Sequence, residues 1–506
     1  LSSSELSAYD VSNRRSPRKI GSANLSADFI IPSGQANHIK VWGKYIIISA
    51  GNQGVVIVKI KHDWSQSSRS ITFERVGGIQ PSSNAAGVSS QKIDVFGDLV
   101  AVAENTGGLR IVSIEKPSSP IQITSISDFL QAGERAVSVK FFFPYVAVGT
   151  NNGNLYIFDA SEPRKTKLVS SLLLASGIQI NDIDQWGILL VISDNQGVKF
   201  IDVRNPANPS LLYDLRRGGT LSSFVYGDRL LAGDINSGLY IYKIAEPFDT
   251  AYEMKVVENS GVRSVGLYGT LSVVGKESEV KFFLTNNPFS PSHITSITGS
   301  NITAFSLWGD KVVVGDGTFI KIYSFPPTDV PIKEVDLSSL RSGIYIWEIV
   351  NWGDSAIVAG EKAVFLVPLT DIENLTPDKV LKFEGSYSIY DVDISGDILF
   401  ISSRDSRVIA VRILDGSFSL LLDNLTSSAV WEIIPFGKYI ATAQSISGLI
   451  FYDISRIIFG NLAQVGASPL QNVIGVKNFG YFNLVFRGSG ISLVDNTYID
   501  RPREVY

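Results

Sequence analysis

No cysteine occurs in the 506 residues, and methionine occurs once, as Met254. Without cysteine there can be no disulfide, thiolate nucleophile, iron–sulfur cluster or zinc–thiolate site. Scarcity of both oxidisable sulfur residues suits an exposed or hot setting. Charge is scarce too, at 18% of residues against about 25% in ordinary soluble domains, and the lysine and glutamate enrichment of hyperthermophile cytosolic proteins is missing. The balance of 44 basic and 49 acidic residues gives 44 − 49 = −5, which argues against a nucleic-acid partner. The three histidines, His38, His62 and His293, fall in different repeat units, so neither a catalytic triad nor a metal cluster is expected. No apolar run reaches the roughly 18 residues of a membrane span, and capped helical periodicity is almost absent. No nucleophile elbow, phosphate-binding loop, dinucleotide fingerprint or zinc-protease helix motif is present. Residue 1 is Leu1 rather than Met, which fits either a removed signal peptide or a trimmed chain.

What the chain does have is one strand grammar, repeated. An apolar alternation ending in a (usually aromatic) residue and Gly recurs at Gly43, Gly97, Gly187, Gly227, Gly269, Gly309, Gly353, Gly396, Gly437 and Gly480. Pro144 takes the place of Gly in the variant VKFFFPYVAVG. Successive intervals are 54, 47, 43, 40, 42, 40, 44, 43, 41 and 43 residues, close to the ~40–45 of one four-stranded propeller blade. Each turn leads to a Val/Ile/Ala strand such as YIIISA or LVAVAE, then an Asn/Gly hairpin, a third strand such as VVIVKI or LYIFDA, and a more irregular fourth. The stretch 180–216 shows all four, with Asn195-Gln196-Gly197 as the hairpin and NPANP before the last strand. A sheet this small cannot bury both apolar faces alone, so the copies must stack.

The fold expected is all-β: tandem β-propellers built from about eleven four-stranded antiparallel blades. Eleven exceeds the ~4–8 blades of a common ring, which favours two rings. The boundary is placed in the irregular segment 245–261, giving a first propeller at 1–250 and a second at 251–506. The alternative is near 328, in FPPTDVP (325–331). The N-terminal segment 8–25 reads as a third and fourth strand without the first two, suited to closing a ring by completing a later blade.

The extracted consensus is an aromatic-Gly turn, a VAV-type strand, an Asn/Gly hairpin, then Gly-Leu-x-Ile-x-Asp-Val followed by Asn-Pro-x-x-Pro. Its clearest copies are GVKFIDVRNPANPSLL (197–212), GLYIYKI (238–244) and LYIFDASEP (155–163). This pattern resembles the LVIVD-repeat proteins, bacterial and archaeal β-propellers that are mostly exported or attached to surfaces. The resemblance implies a cell-surface or extracellular role in interaction with other surface proteins, copies of itself or surface polymers. It carries no catalytic residues.

Site candidates lie on the first strands, which line the central channel of a propeller. Five residues before the turn Gly stand Asp182, Glu348, Asp391 and Glu432; Asp94, Asp184 and Asp393 lie two positions later in their units, on the same strand face. Such carboxylates could bind Ca²⁺ or a basic group, or they are solvated and hydrogen-bond the neighbouring blade. The aromatic residues before the turn glycines (Trp42, Trp186, Trp308 and Trp352 with Phe96, Tyr226, Tyr268, Phe436 and Phe479) fit a wedge between sheets. Trp347-Glu348 and Trp431-Glu432 are more site-like, because only two units carry that pair. Sequons at Asn24, Asn301, Asn374 and Asn424 are candidate N-glycosylation sites, with Asn301 and Asn424 expected in inter-blade loops. The alternative to an interaction protein is an enzyme or ligand binder acting on carbohydrate at a channel mouth.

Overall fold

The computed structural model describes residues 5–10, 16–28, 30–31, 36–64, 69–216, 218–226, 229–234, 238–243, 262–268, 271–284, 291–414, 416–479, 482–488, 490–496 and 498–505. Over these, the chain forms twelve antiparallel sheets. Ten have four strands in sequence order, and they are blades 1–4 (38–79, 93–126, 136–173, 180–216) and 6–11 (262–298, 302–336, 346–384, 389–425, 430–468, 473–504). Blade 5 (220–243) shows three strands, and its fourth would fall in 244–261, outside the described residues. The segment expected to hold the boundary between propellers lies there too.

The strand grammar follows from stacking. Second strands such as Tyr45–Ser49 and Leu99–Ala103 are buried throughout, because sheets that are covered on both faces want continuous apolar runs. Fourth strands such as Ile121–Ile126 face water at the rim. The turn glycines Gly43, Gly97, Gly187, Gly309, Gly353, Gly396 and Gly437 all have φ between 57° and 65°. A positive φ at the first central residue alone is the pattern of the II′ hairpin, and it calls for Gly. First strands of consecutive blades pack side by side through blades 1–5, and again through 6–11.

The aromatic residue before the turn is the wedge expected. Trp308 Nε1 donates to Gly353 O at 2.8 Å and Trp352 Nε1 donates to Gly396 O at 2.7 Å, each reaching the turn of the next blade. Trp42 is buried and stacks on Tyr45 with ring centroids 5.5 Å apart.

The N-terminal segment corrects one expectation. Glu5–Asp10 and Arg18–Asn24 pair with each other as a two-stranded sheet, and among the described residues they complete no later blade. Leu6, Ala23 and Leu25 pack on Ile46, Ile48, Val56 and Val58 of blade 1. The other face carries Glu5 paired with Lys19, and exposed Ser22 and Asn24. This half-blade thereby covers apolar residues of blade 1.

Blades 1–5 and 6–11 meet through their first hairpin turns, in opposite order. Gly43 of blade 1 faces Gly353 of blade 8, and a Cβ added to it would sit 2.8 Å from the partner Cα. Gly97 of blade 2 faces Gly309 of blade 7 so closely that a Cβ there would overlap the Gly309 nitrogen. Tyr45 donates its hydroxyl to Asp354 at 3.1 Å, and Lys44 pairs with the same carboxylate at 3.3 Å. Lys311 lies 3.2 Å from Asp98 and 3.3 Å from Glu115. One apolar cluster runs through this joint, from Trp42 and Val100 to Trp308 and Ile349.

Candidate functional site: the two channels

In most blades the first strand carries a register shift just before the fifth residue ahead of the turn. It falls between Ile180 and Asp182, Ile346 and Glu348, Ile389 and Asp391, and Val430 and Glu432. The extra residue in each bulge is Asn181, Trp347, Tyr390 or Trp431, and a bulge re-aims the side chains around it. The candidate acid always comes next.

These acids separate into two groups. In the first array, Lys92 of blade 2 reaches Asp182 of blade 4 at 2.5 Å, and Ser222 of blade 5 donates to the same carboxylate. Lys40 pairs with Asp94 at 2.8 Å, while Lys140 lies 3.8 Å from Asp94 and 3.1 Å from Asp184. Three lysines thus neutralise three aspartates, and contacts reaching past the adjacent blade mean that the first strands converge on one axis. His38 lines the same space. Burial first, then Lys92 and Lys40, push it down to about 4, so it stays neutral at pH 7.

In the second array Glu348, Asp391, Asp393 and Glu432 come together, with Lys477 as their cation. Lys477 donates to Glu432; burial works against its charge, but Glu432, Asp391 and Glu348 outweigh it and hold its pKa above the usual value. Burial raises Glu348 to about 7, with Glu432 and Asp393 adding to the effect and Lys477 opposing it. Asp391 is raised well above the carboxylate range, by burial and then by Glu348 and Glu432. Burial also lifts Asp393 to about 6.

Several of these acids hydrogen-bond the neighbouring blade. One oxygen often docks the next blade: Asp94 accepts from Phe141 N at 3.0 Å, Asp184 from Val225 N at 3.0 Å, Asp391 from Ile433 N at 2.9 Å and Glu432 from Val476 N at 2.7 Å. The other oxygen of Asp94, Asp184 and Glu432 is met by Lys40, Lys140 and Lys477 respectively. Among the described residues no group of three or more His, Asp or Glu is arranged to hold a metal ion.

Trp347 and Trp431 belong to the second array's site, and they come with residues that sequence reasoning missed. Tyr345 and Trp347 rings are 4.8 Å apart, Trp347 and Tyr390 6.1 Å, Tyr390 and Trp431 4.7 Å. The Arg404 guanidinium lies 4.5 Å from the Tyr390 centroid and 5.4 Å from that of Trp431. The Trp431 indole N–H is buried without a partner. Tyr390 was legible, since it holds the same place relative to Gly396 as Trp347 does to Gly353; Arg404 comes from the hairpin after the second strand and carries no periodic signal.

The remaining candidates stay apart. His293 is on the rim strand Ser292–Thr298, against Phe283, whereas His62, in strand Val55–Trp64, shares blade 1 with His38, so these two histidines do not fall in different units as expected. Asn24 and Asn374 are exposed, and Asn301 lies between blades 6 and 7, its Oδ1 accepting from Tyr345. Asn424 is not in a loop: it pairs with Val408 inside strand Ser417–Leu425.

A cleft of about 470 Å³ lies between the arrays against Lys44, Trp352, Asp354, Leu381 and Asp397. Asp354 is held there by Lys44 and Tyr45, and Asp397 by Arg412.

Among solved structures, the computationally designed Ika8 protein is 13% identical, covering 63% of this chain and 95% of its own, with a TM-score of 0.32. Sqt1 of Saccharomyces cerevisiae is 9% identical, covering 73% of this chain and 95% of its own, with a TM-score of 0.39. No curated protein sequence matches the chain. The LVIVD repeat matches residues 33–75 and 87–128, which are blades 1 and 2 with their approaches rather than the copies at 155–163, 197–212 and 238–244. The chain therefore carries LVIVD repeats, in the array that holds the neutralised channel.

Proposed function

We propose that the chain is a non-enzymatic, exported binding and assembly subunit of a cell envelope or extracellular structure. Its partners are other surface proteins, copies of itself or surface polymers, and a net charge of −5 leaves nucleic acid outside them. The observation that carries this reading is the unequal filling of two similar channels. One is closed by its own ion pairs; the other keeps surplus carboxylates beneath a row of aromatic rings, the composition of a recognition surface. Rigid blades hold that surface in place, so the affinity comes from presentation rather than from chemistry. Export is supported by the LVIVD repeats, the lack of cysteine, the single Met254 and the exposed sequons at Asn24 and Asn374.

Intact and native mass of protein from its natural source tests this. Excess mass at Asn24, Asn301, Asn374 or Asn424 together with higher-order assemblies is expected; an unmodified monomer would overturn it.

A second reading has one observation in its favour. A carboxyl group raised to about 7, as Glu348 is, suits a general acid, and aromatic rings suit sugar. Turnover of a polysaccharide panel that disappears in Glu348→Gln would establish a carbohydrate-active enzyme instead. Ca²⁺ dependence of that turnover would assign the remaining carboxylates to the ion.

A further inference from the structure

The row Tyr345, Trp347, Tyr390 and Trp431 already holds a cation. Arg404 lies over two of its rings, at 4.5 and 5.4 Å. A guanidinium on an exposed surface usually finds a carboxylate, because the planar fork matches one so well. Among the described contacts Arg404 has no ion pair and no side-chain hydrogen bond, although its backbone N–H donates to Ser388 O at 3.0 Å. Among the described residues the rings alone hold it, and this side chain is exposed.

The position is built rather than incidental. Three of the four rings are the extra residue of a bulge, in three consecutive blades, so they stand at one level of the channel mouth. Tyr345 is fixed at the end of the row by its hydroxyl, which donates to Asn301 Oδ1 at 2.7 Å. One residue beyond each bulge comes Glu348, Asp391 or Glu432, and for these carboxylates with Asp393 the cation is Lys477. Glu348 has no cation bonded to it among the described residues. Ring faces attract cations, the more strongly where water is partly excluded and negative charge stands behind.

We propose that this mouth binds an arginine side chain of a partner polypeptide, and that Arg404 is an internal occupant which the partner displaces. The proposal rests on the reading of the chain as a binding subunit and names what one of its surfaces recognises. Guanidinium fits better than a compact ammonium. It lies flat between aromatic faces and can still turn its edge to a carboxylate, and the side chain already seated there is an arginine. Self-occupancy lowers the apparent affinity by the fraction of time the rings are free, so the internal arginine also sets a threshold for binding.

The test is calorimetric and fluorescence titration of the full chain with acetyl-Gly-Arg-Gly-amide, and with the same peptide carrying citrulline, its neutral isostere. Weak binding of the arginine peptide and none of the citrulline peptide is expected. Arg404→Ala should bind the arginine peptide at least threefold more tightly. In that background Trp431→Ala should bind at least tenfold more weakly, whereas Trp431→Phe should keep most of the affinity. Equal binding of citrulline, or no tightening in Arg404→Ala, overturns the proposal. Should Trp431→Ala fail to fold, the citrulline comparison and the Arg404→Ala titration still decide it. Assembly seen by native mass alongside a failed titration would remove only this site; a monomer alongside it would remove the parent reading as well.

Discussion

In the first array Lys92 crosses the channel to Asp182, and Lys140 lies between Asp94 and Asp184; in the second, Glu348, Asp391, Asp393 and Glu432 share Lys477. The strands, turns and bulges that carry these residues follow one pattern in both. The difference lies in which side chains occupy equivalent positions. A neutralised channel is a structural core that happens to be polar, because every charge taken from water finds its partner. A channel with surplus charge carries a cost in stability, and such costs gather where something is to be bound.

The joint shared by both arrays offers the largest perturbation. Gly97→Ala must adopt a positive φ and also overlap Gly309, and should destabilise by more than about 3 kcal/mol. Gly187→Ala has the same φ but nothing within 4 Å, and should cost about 1 kcal/mol. Urea midpoints of the two variants measure the gap, and equal losses would mean that the joint contributes little.

Next comes Lys92→Met. Its side chain is 21% exposed and that of Asp182 16%, so the variant leaves a largely buried carboxylate without its cation and should lose about 2 kcal/mol. An unchanged midpoint would show that the pair across the first channel is dispensable.

The third prediction separates the channels by sign. Glu348 titrates at about 7 in the fold against an ordinary 4.5, and Asp393 at about 6 against 3.8. Across pH 4.5–7 the folded chain therefore holds protons that the unfolded chain has lost. The second array becomes less stable as pH rises through that window and recovers on acidification. His38 runs the other way, at about 4 against 6.5: the unfolded chain takes up its proton first, so acidification from 6.5 to 4 destabilises the first array. Hydrogen exchange corrected for intrinsic rate, compared at pH 7 and 5, should show slower opening in 346–352 and 389–395 and faster opening in 38–42. Changes of the same sign in both would erase the contrast.

The smallest effect is expected for Glu348→Gln, which removes one of the crowded charges. It should raise stability at pH 7.5 by about 1 kcal/mol or less, where the comparable loss of charge at Lys92 lowers it. A clear destabilisation would assign Glu348 a docking role like that of Asp391.

Much of this architecture is legible in the residues. The spacing of Gly43, Gly97, Gly187 and their equivalents defines blades, because a positive φ in a two-residue turn admits almost nothing else. The wedge role of Trp308 and Trp352 follows from their recurrence. The split of the acids is harder to see, since the partner of Asp182 is a lysine two units earlier. Aligning first strands on their turn glycines would have helped: Lys92 then falls on the position of Asp182 and Lys40 on that of Asp184, while Lys140 joins Lys40 only in the observed register, where Phe143 rather than Pro144 takes the glycine's place. Asn424 was misplaced because the strand Ser417–Leu425 runs to nine residues, longer than the other rim strands of its array. Opposition of the turns leaves no periodic trace, because Gly43 and Gly353 are selected by each other's backbone and not by their neighbours in sequence.

That opposition also bears on how such a chain can change over generations. Repeat proteins commonly gain or lose whole units by unequal recombination. Here Gly43 answers Gly353 and Gly97 answers Gly309, so a unit inserted between 43 and 97, or between 309 and 353, would slide one side of the match past the other. Tolerated gains and losses are thereby directed to blades that lie away from these paired turns.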